Sequence, residues 1–227
     1  MPGLRSIAGR SYHAARVFTY TKVLPHVADT CFTLDGRDYH YVWHEHAHTW
    51  RSERAVEVPI ALAELATAEP ARTLEVGNVL SNFKRTSHLV IDKYEQAPGV
   101  LNEDAATFSG GPFDLIISVS TLEHVGYDEE PREPDKAARA VRNLLGLLAP
   151  GGTMLATIPI GHNRDLDDAL IGGALGGSVS YLKRVKWLKW EQVEPDQAKV
   201  MYGWPWPGAN VVAIARWKTS RSSADEP

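Results

Sequence analysis

The chain has 227 residues, 44% of them hydrophobic, which suits one α/β domain with a sizeable core and excludes a disordered or fibrous chain. Its 24 basic and 28 acidic residues leave a formal charge of -4, so no overall positive field exists to hold nucleic acid or an anionic membrane. The one cysteine, Cys31, excludes an intrachain disulfide and a zinc site built on thiolates, and fits a reducing compartment.

Composition divides the chain into three expected parts: a His- and aromatic-rich amino-terminal arm or cap over 1–51, a main domain over 52–218, and a tail over 219–227. The tail is Ser-rich and charged with nothing to bury, the composition of a disordered segment. The amino terminus lacks the apolar run and cleavage site of a secretory signal. No segment approaches the roughly 20 apolar residues that cross a bilayer, so the expectation is a soluble, cytoplasmic protein.

In the arm, His44, His46 and His48 fall at alternate positions, and on a strand they share one face where a metal can bind. An exposed histidine row is the commoner meaning of such a pattern, and no bound metal is expected. The rings around these histidines, with those between Trp187 and Trp206, either wall an acceptor site or pack the arm onto the body; contact between two copies, a homodimer, is a further use.

The main domain begins with a helix expected over 55–68, N-capped by Ser52 and ended by Glu69-Pro70. Short apolar runs at Thr73–Val76, Leu89–Ile91, Phe113–Val119 and 154–158 read as parallel strands buried on both faces. Between the last two, 135–148 carries apolar residues at helical spacing and stops at Ala149-Pro150-Gly151-Gly152. Strand, helix and parallel strand in this order predict an α/β fold with a Rossmann-like doubly wound sheet. Beyond it, the Gly-rich stretch 161–180 reads as a lid or surface loop, Lys183 to Trp190 as an amphipathic element, and Trp204-Pro205-Trp206-Pro207 as a rigid loop.

Ligands of such sheets bind beyond the carboxyl ends of the strands, where the polar residues of this segment cluster. Gly77 follows the first strand and lets the backbone turn and approach a ligand closely. Asp92 ends the second strand at the distance where an acid accepts from ribose hydroxyls, and Asp104 stands where a third strand ends, placed to accept from an adenine amino group. With Glu75, three acids at three strand ends describe a nucleoside pocket, whereas a pyrophosphate calls for a glycine-rich helix start.

The motifs Leu74-Glu75-Val76-Gly77, Asp92, Asp104, Phe113-Asp114-Leu115-Ile116-Ile117-Ser118, Leu122-Glu123-His124-Val125 and Leu147-Leu148-Ala149-Pro150-Gly151-Gly152, in this order and spacing, resemble the class I S-adenosylmethionine-dependent methyltransferases. The resemblance covers about residues 55 to 160. It implies S-adenosylmethionine as cofactor, held at its amino-acid end by Glu75 with Gly77 and Asn78, at the ribose by Asp92 and at the adenine by Asp104, with Ser120 also lining the site. It implies a final antiparallel strand, for which 208–217 is the candidate. The loop departs from the family in holding Val79 and Ser81 where further glycines are usual. That departure speaks against a dinucleotide dehydrogenase.

The expected reaction is O-methylation of a hydroxyl on a saccharide or small metabolite, with no nucleic acid or membrane partner. An N-methyltransferase would share every cofactor residue, and a non-catalytic methyltransferase-like binding subunit is the alternative from another class. Methyl transfer to a hydroxyl needs alignment and removal of a proton. His124, after the fourth strand, is the first candidate for the base, and His162, leaving the fifth strand on the same edge, is the second.

Overall fold

The computed structural model describes residues 14–15, 17–23 and 30–220. An eight-stranded mixed sheet has the order β5-β4-β3-β6-β7-β10-β8-β9. Its strands are β3 (Thr73–Val76), β4 (Leu89–Ile91), β5 (Val100–Leu101), β6 (Phe113–Val119), β7 (Leu148–Pro159), β8 (Ser178–Lys186), β9 (Lys189–Val193) and β10 (Val211–Lys218). β3 to β7 are parallel, and β10 runs antiparallel between β7 and β8. This parallel half followed by an inserted antiparallel strand is the arrangement of the class I methyltransferase fold.

Alternation along the strands builds two cores. On β6, Leu115, Ile117 and Val119 face one way and Ile116 the other; on β10, Val212 and Ile214 oppose Val211, Ala213 and Ala215. One face is covered by α2 (Lys136–Gly146), through Ala137, Ala140, Val141 and Leu144, and by α3 (Arg164–Ile171), through Leu166 and Leu170. The other is covered by α1 (Arg54–Leu65) and by a hairpin of β1 (Cys31–Leu34) and β2 (Arg37–His40), whose Phe32, Leu34, Tyr39 and Tyr41 share a cluster with Val56, Ile60 and Trp190. The aromatic flank therefore packs onto the body: Tyr41 and Trp43 rings lie 5.1 Å apart, and the Tyr41 hydroxyl accepts from the Trp190 amide at 2.9 Å.

Several expectations change. The antiparallel part is three strands, because the amphipathic stretch from Lys183 to Trp190 forms the β8–β9 hairpin; on it Arg184 is buried and lies over the Trp190 ring. The stretch 161–180 is not an open lid: its first half is α3, which Asn163 caps by accepting from the Leu166 amide at 3.2 Å, and Leu166, Leu170 and Leu175 are buried. The helix expected over 55–68 stops at Leu65, and Glu53, not Ser52, precedes it. The histidine row is not a strand. His46–Arg51 is a 3₁₀ turn kinked at Ala47 and His48, both at positive φ. His44 and His46 rest on the Phe83 ring while His48 packs on Trp50, so the three do not share a face. At the carboxyl terminus Thr219 is pinned by its hydroxyl to the Ala149 carbonyl at 2.6 Å; the rest of the expected tail, beyond Ser220, lies outside the described residues.

No helix among the described residues is long and apolar enough to cross a membrane. Leu144 is wholly buried between α2 and the sheet. Truncation to Ala removes contacts that this packing cannot replace, and Leu144→Ala is expected to lower unfolding free energy by about 2–5 kcal/mol in urea denaturation.

Candidate cofactor and catalytic site

The sheet reverses direction at β3: the chain steps outward through β4 to β5, then returns across to β6. The carboxyl ends of β3 and β6 therefore splay into a crevice. A cavity of 570 Å³ occupies it, of the size that takes a nucleoside-like ligand. Gly77, Asn78, Asp92, Asp104, Ser120 and His124 all line it.

Gly77 has a φ of +86°, and a Cβ there would stand 2.0 Å from the Thr121 hydroxyl and 2.9 Å from Thr121 Cβ. Only glycine permits this approach of the β3 and β6 ends. Glu75, one of the expected ligand-holding residues, lies behind the wall: it is fully buried and is not part of the lining. One carboxylate oxygen accepts from the amides of Val79 and Leu80 at 2.9 and 2.8 Å, and the other meets His88 Nε2 at 2.7 Å. This explains the missing glycines. No α-helix follows β3; a 3₁₀ turn, Leu80–Asn82, takes its place, and Glu75 satisfies the amides at its start. Asn78 ties the turn to the next loop, donating to Glu95 at 2.6 Å and accepting from the Ser81 hydroxyl at 2.6 Å.

Asp92 holds its own loop with one oxygen, Oδ1, which accepts from the amides of Tyr94 and Glu95 at 2.9 and 2.7 Å. Among the described residues Oδ2 has no hydrogen bond, which leaves it for a ligand. Asp104 is differently employed. Its Oδ2 pairs with Lys93 at 3.0 Å and Lys136 at 2.7 Å, and both lysines reach Glu129, at 2.8 and 2.5 Å. Burial pushes Asp104 up, but the Lys136 ammonium, the Ala106 amide and Lys93 outweigh it and hold the carboxyl at about 2. This four-charge square escaped the sequence reading, since Lys93, Glu129 and Lys136 come from separate segments; the nearest signal was a lysine beginning a helix whose other expected neighbours are apolar.

Ser120 adopts a φ of +40°, and its hydroxyl donates to Glu57 of α1 at 2.6 Å, so it lines the cavity by backbone while its side chain turns away. Glu57 is pushed up by burial, against Arg54 at 3.0 Å. Glu123 is likewise raised well above the usual carboxylate range by burial, and its Oε2 has no hydrogen-bond partner among the described residues.

The two candidate bases meet. The His124 and His162 rings lie 4.6 Å apart, edge to face, and His162 also contacts Tyr127 and Tyr202. His124 Nδ1 bonds Asp128 Oδ2 at 2.5 Å while its Nε2 lies 3.6 Å from Glu123. His162 is a step further back: it does not line the cavity, and burial, then the neighbouring His124, lowers its pKa. Asp128 was not singled out from sequence, although it follows His124 by four residues.

No family model matches the chain, and no curated protein matches it. Solved structures do. An N-methyltransferase, NodS, from Bradyrhizobium japonicum WM9 in complex with S-adenosyl-L-homocysteine is 15% identical over 68% of this chain and 81% of that one, with a TM-score of 0.43. The 1,6-didemethyltoxoflavin-N1-methyltransferase of Burkholderia thailandensis is 15% identical, covering 84% and 99%, with a TM-score of 0.45. The [4+2]-cyclase SpnF is 14% identical, covering 95% and 96%, also at 0.45. At such scores the likeness carries no inference about substrate or reaction.

Two outcomes test the geometry. Because Asp104 is held below its ordinary range, its contribution to stability is complete above about pH 4 and is lost as pH falls toward 2; acid titration of unfolding should show this loss, and Asp104→Asn should abolish that component. Gly77→Val places a branched side chain at positive φ against Thr121, so it should lower the unfolding free energy in urea denaturation by more than about 1 kcal/mol. The architecture of the crevice thus agrees with the class I methyltransferase fold that the motifs imply.

Proposed function

We propose that this protein transfers the methyl group of S-adenosylmethionine to a hydroxyl of a saccharide or small metabolite. The observation that carries the reading is the crevice at the β3–β6 reversal, where Gly77 permits close approach and Asp92 keeps one carboxylate oxygen for a ribose. A diphosphate fits poorly: no α-helix begins after β3 to receive it, and outside the neutral square of Lys93, Lys136, Asp104 and Glu129 the lining carries Asp92, Glu95, Glu103 and Asp128 and, among the described residues, no lysine or arginine. Acidic walls suit a ligand bearing a sulfonium and an ammonium group.

In this reading Gly77 and Asn78 border the amino-acid end, with Glu75 acting on it through the loop that it anchors. Asp92 takes the ribose, Asp104 with its lysines closes the adenine end, and the backbone at Ser120 borders the thioether. His124 is the catalytic residue at the methyl, with His162 beside it, and the acceptor's proton leaves at this end. In-line transfer then depends on alignment of the acceptor oxygen with the methyl carbon.

A second reading, a binding subunit that keeps the fold without transfer, rests on the engagement of Asp104 by two lysines, which competes with an adenine. Calorimetry with S-adenosylhomocysteine separates the two. Binding that Asp92→Ala weakens by about 1.5–3 kcal/mol in a folded variant supports the cofactor site, and no binding by the native chain leaves the subunit. With an acceptor in hand, His124→Ala should lower kcat by about 10²–10⁴ with cofactor affinity nearly unchanged, and full turnover in that variant would move the role to His162.

A further inference from the structure

Among the described residues one group of three metal-ligating side chains converges: His124, Asp128 and His162, whose nearest ligand atoms all lie within 4.8 Å of one another. His124 and Asp128 sit four residues apart in the turn after β6, and His162 comes from the loop after β7, so two adjacent strand ends bring them together. Asp128 Oδ2 is the common point, 2.5 Å from His124 Nδ1 and 3.6 Å from His162 Nε2.

A second observation is independent of that convergence. His162 Nε2 is buried without a hydrogen bond among the described residues, since 3.6 Å to Asp128 is beyond bonding range. Leaving such a nitrogen unpaired is costly, and a cation between it and the carboxylate would supply the missing partner. His124 Nε2, the ring nitrogen away from Asp128, lies 3.6 Å from the buried carboxylate of Glu123, outside bonding range, and the other Glu123 oxygen is unpartnered among the described residues.

We propose that His124, Asp128 and His162 form a binding site for a divalent first-row transition metal ion. Two imidazoles and one carboxylate suit zinc, cobalt, nickel or ferrous iron; magnesium and calcium prefer an all-oxygen set. Bonds of about 2.0–2.2 Å place ligand atoms roughly 3.3 Å apart, close to the Asp128–His162 separation. The His124 and Asp128 side chains are each 49% exposed and have room to open their contact by the remaining fraction of an ångström. Both line the cavity, so a position left open by three protein ligands faces it.

Resting on the methyltransferase reading, the ion would bind the acceptor hydroxyl and lower its pKa, so that the proton passes to solvent as the oxygen attacks the methyl carbon and the carbon–sulfur bond breaks. His124 then serves as ligand in place of base.

The test needs neither cofactor nor acceptor. Untagged full-length chain, stripped with chelator and dialysed, is titrated with cobalt chloride and followed by visible ligand-field absorption. One equivalent should bind, excess magnesium should leave it in place, and Asp128→Asn and His162→Ala should each weaken binding by more than about tenfold with unchanged thermal unfolding in the metal-free state. His48→Ala should bind as the native chain does. Absence of a cobalt spectrum in the native chain, or equal uptake by folded Asp128→Asn and His162→Ala variants, overturns the proposal. Calorimetry with S-adenosylhomocysteine reports on the methyltransferase reading separately: cobalt binding without it sustains the metal site and rejects the reaction, and the reverse result does the opposite.

Discussion

The buried carboxylate of Glu75 sits at the end of β3, where two parallel crossovers diverge, and it spends both oxygens on its own chain. It replaces a helix start by receiving the Val79 and Leu80 amides, and it fixes His88 at the entrance to β4. A buried carboxylate without such partners would be costly, so the turn and the next strand are set in place by the same group. Gly77 can then press against Thr121, and the crevice between β3 and β6 keeps a defined width. Everything proposed for the site presupposes that width.

Charge is sorted around the crevice. At one end Lys93 and Lys136 are locked between Asp104 and Glu129, a compact neutral square in which the nearly buried Lys136 is compensated on two sides. Behind β6, Glu57 and Glu123 are buried near each other with Arg54 as the cation, and burial pushes both carboxyls up. Between these regions lies the His124–Asp128–His162 group, half-exposed and at the boundary of the cavity. The square is structural in character, with every charge answered. The histidine group is not, because a buried ring nitrogen is left over.

Ser120 sits in the left-handed region, held there by its hydroxyl donating to Glu57 and by its backbone N–H donating to the Thr157 carbonyl at 2.9 Å. α1 is thereby tied to the end of β6 through Glu57 and through Arg54, which donates to the Val119 carbonyl at 3.0 Å. The helix preceding the sheet is in this way coupled to the floor of the site.

The parallel core was legible in the sequence because strands buried on both faces must be continuously apolar, and Thr73–Val76, Leu89–Ile91 and Phe113–Val119 have nothing else to be. Gly77, Asp92 and Asp104 were legible because strand ends follow from strands, and ligand crevices follow from strand ends. The flanks were not. Alternation of His44, His46 and His48 fits a strand as well as a kinked turn, and only their packing on Phe83 and Trp50 decides. The β8–β9 hairpin is an edge element whose mixed polar and aromatic pattern fits other structures equally. The role of Glu75 at the cofactor's amino-acid end is what the family resemblance implies, and only the fold shows that its carboxylate turns to the Val79 and Leu80 amides and to His88. The meeting of His124 with His162, and of Lys93 and Lys136 around Asp104 and Glu129, required segments distant in sequence to be neighbours in the fold. Local periodicity determined the elements; contacts of long sequence separation, which only the folded sheet specifies, decided which charges and rings meet.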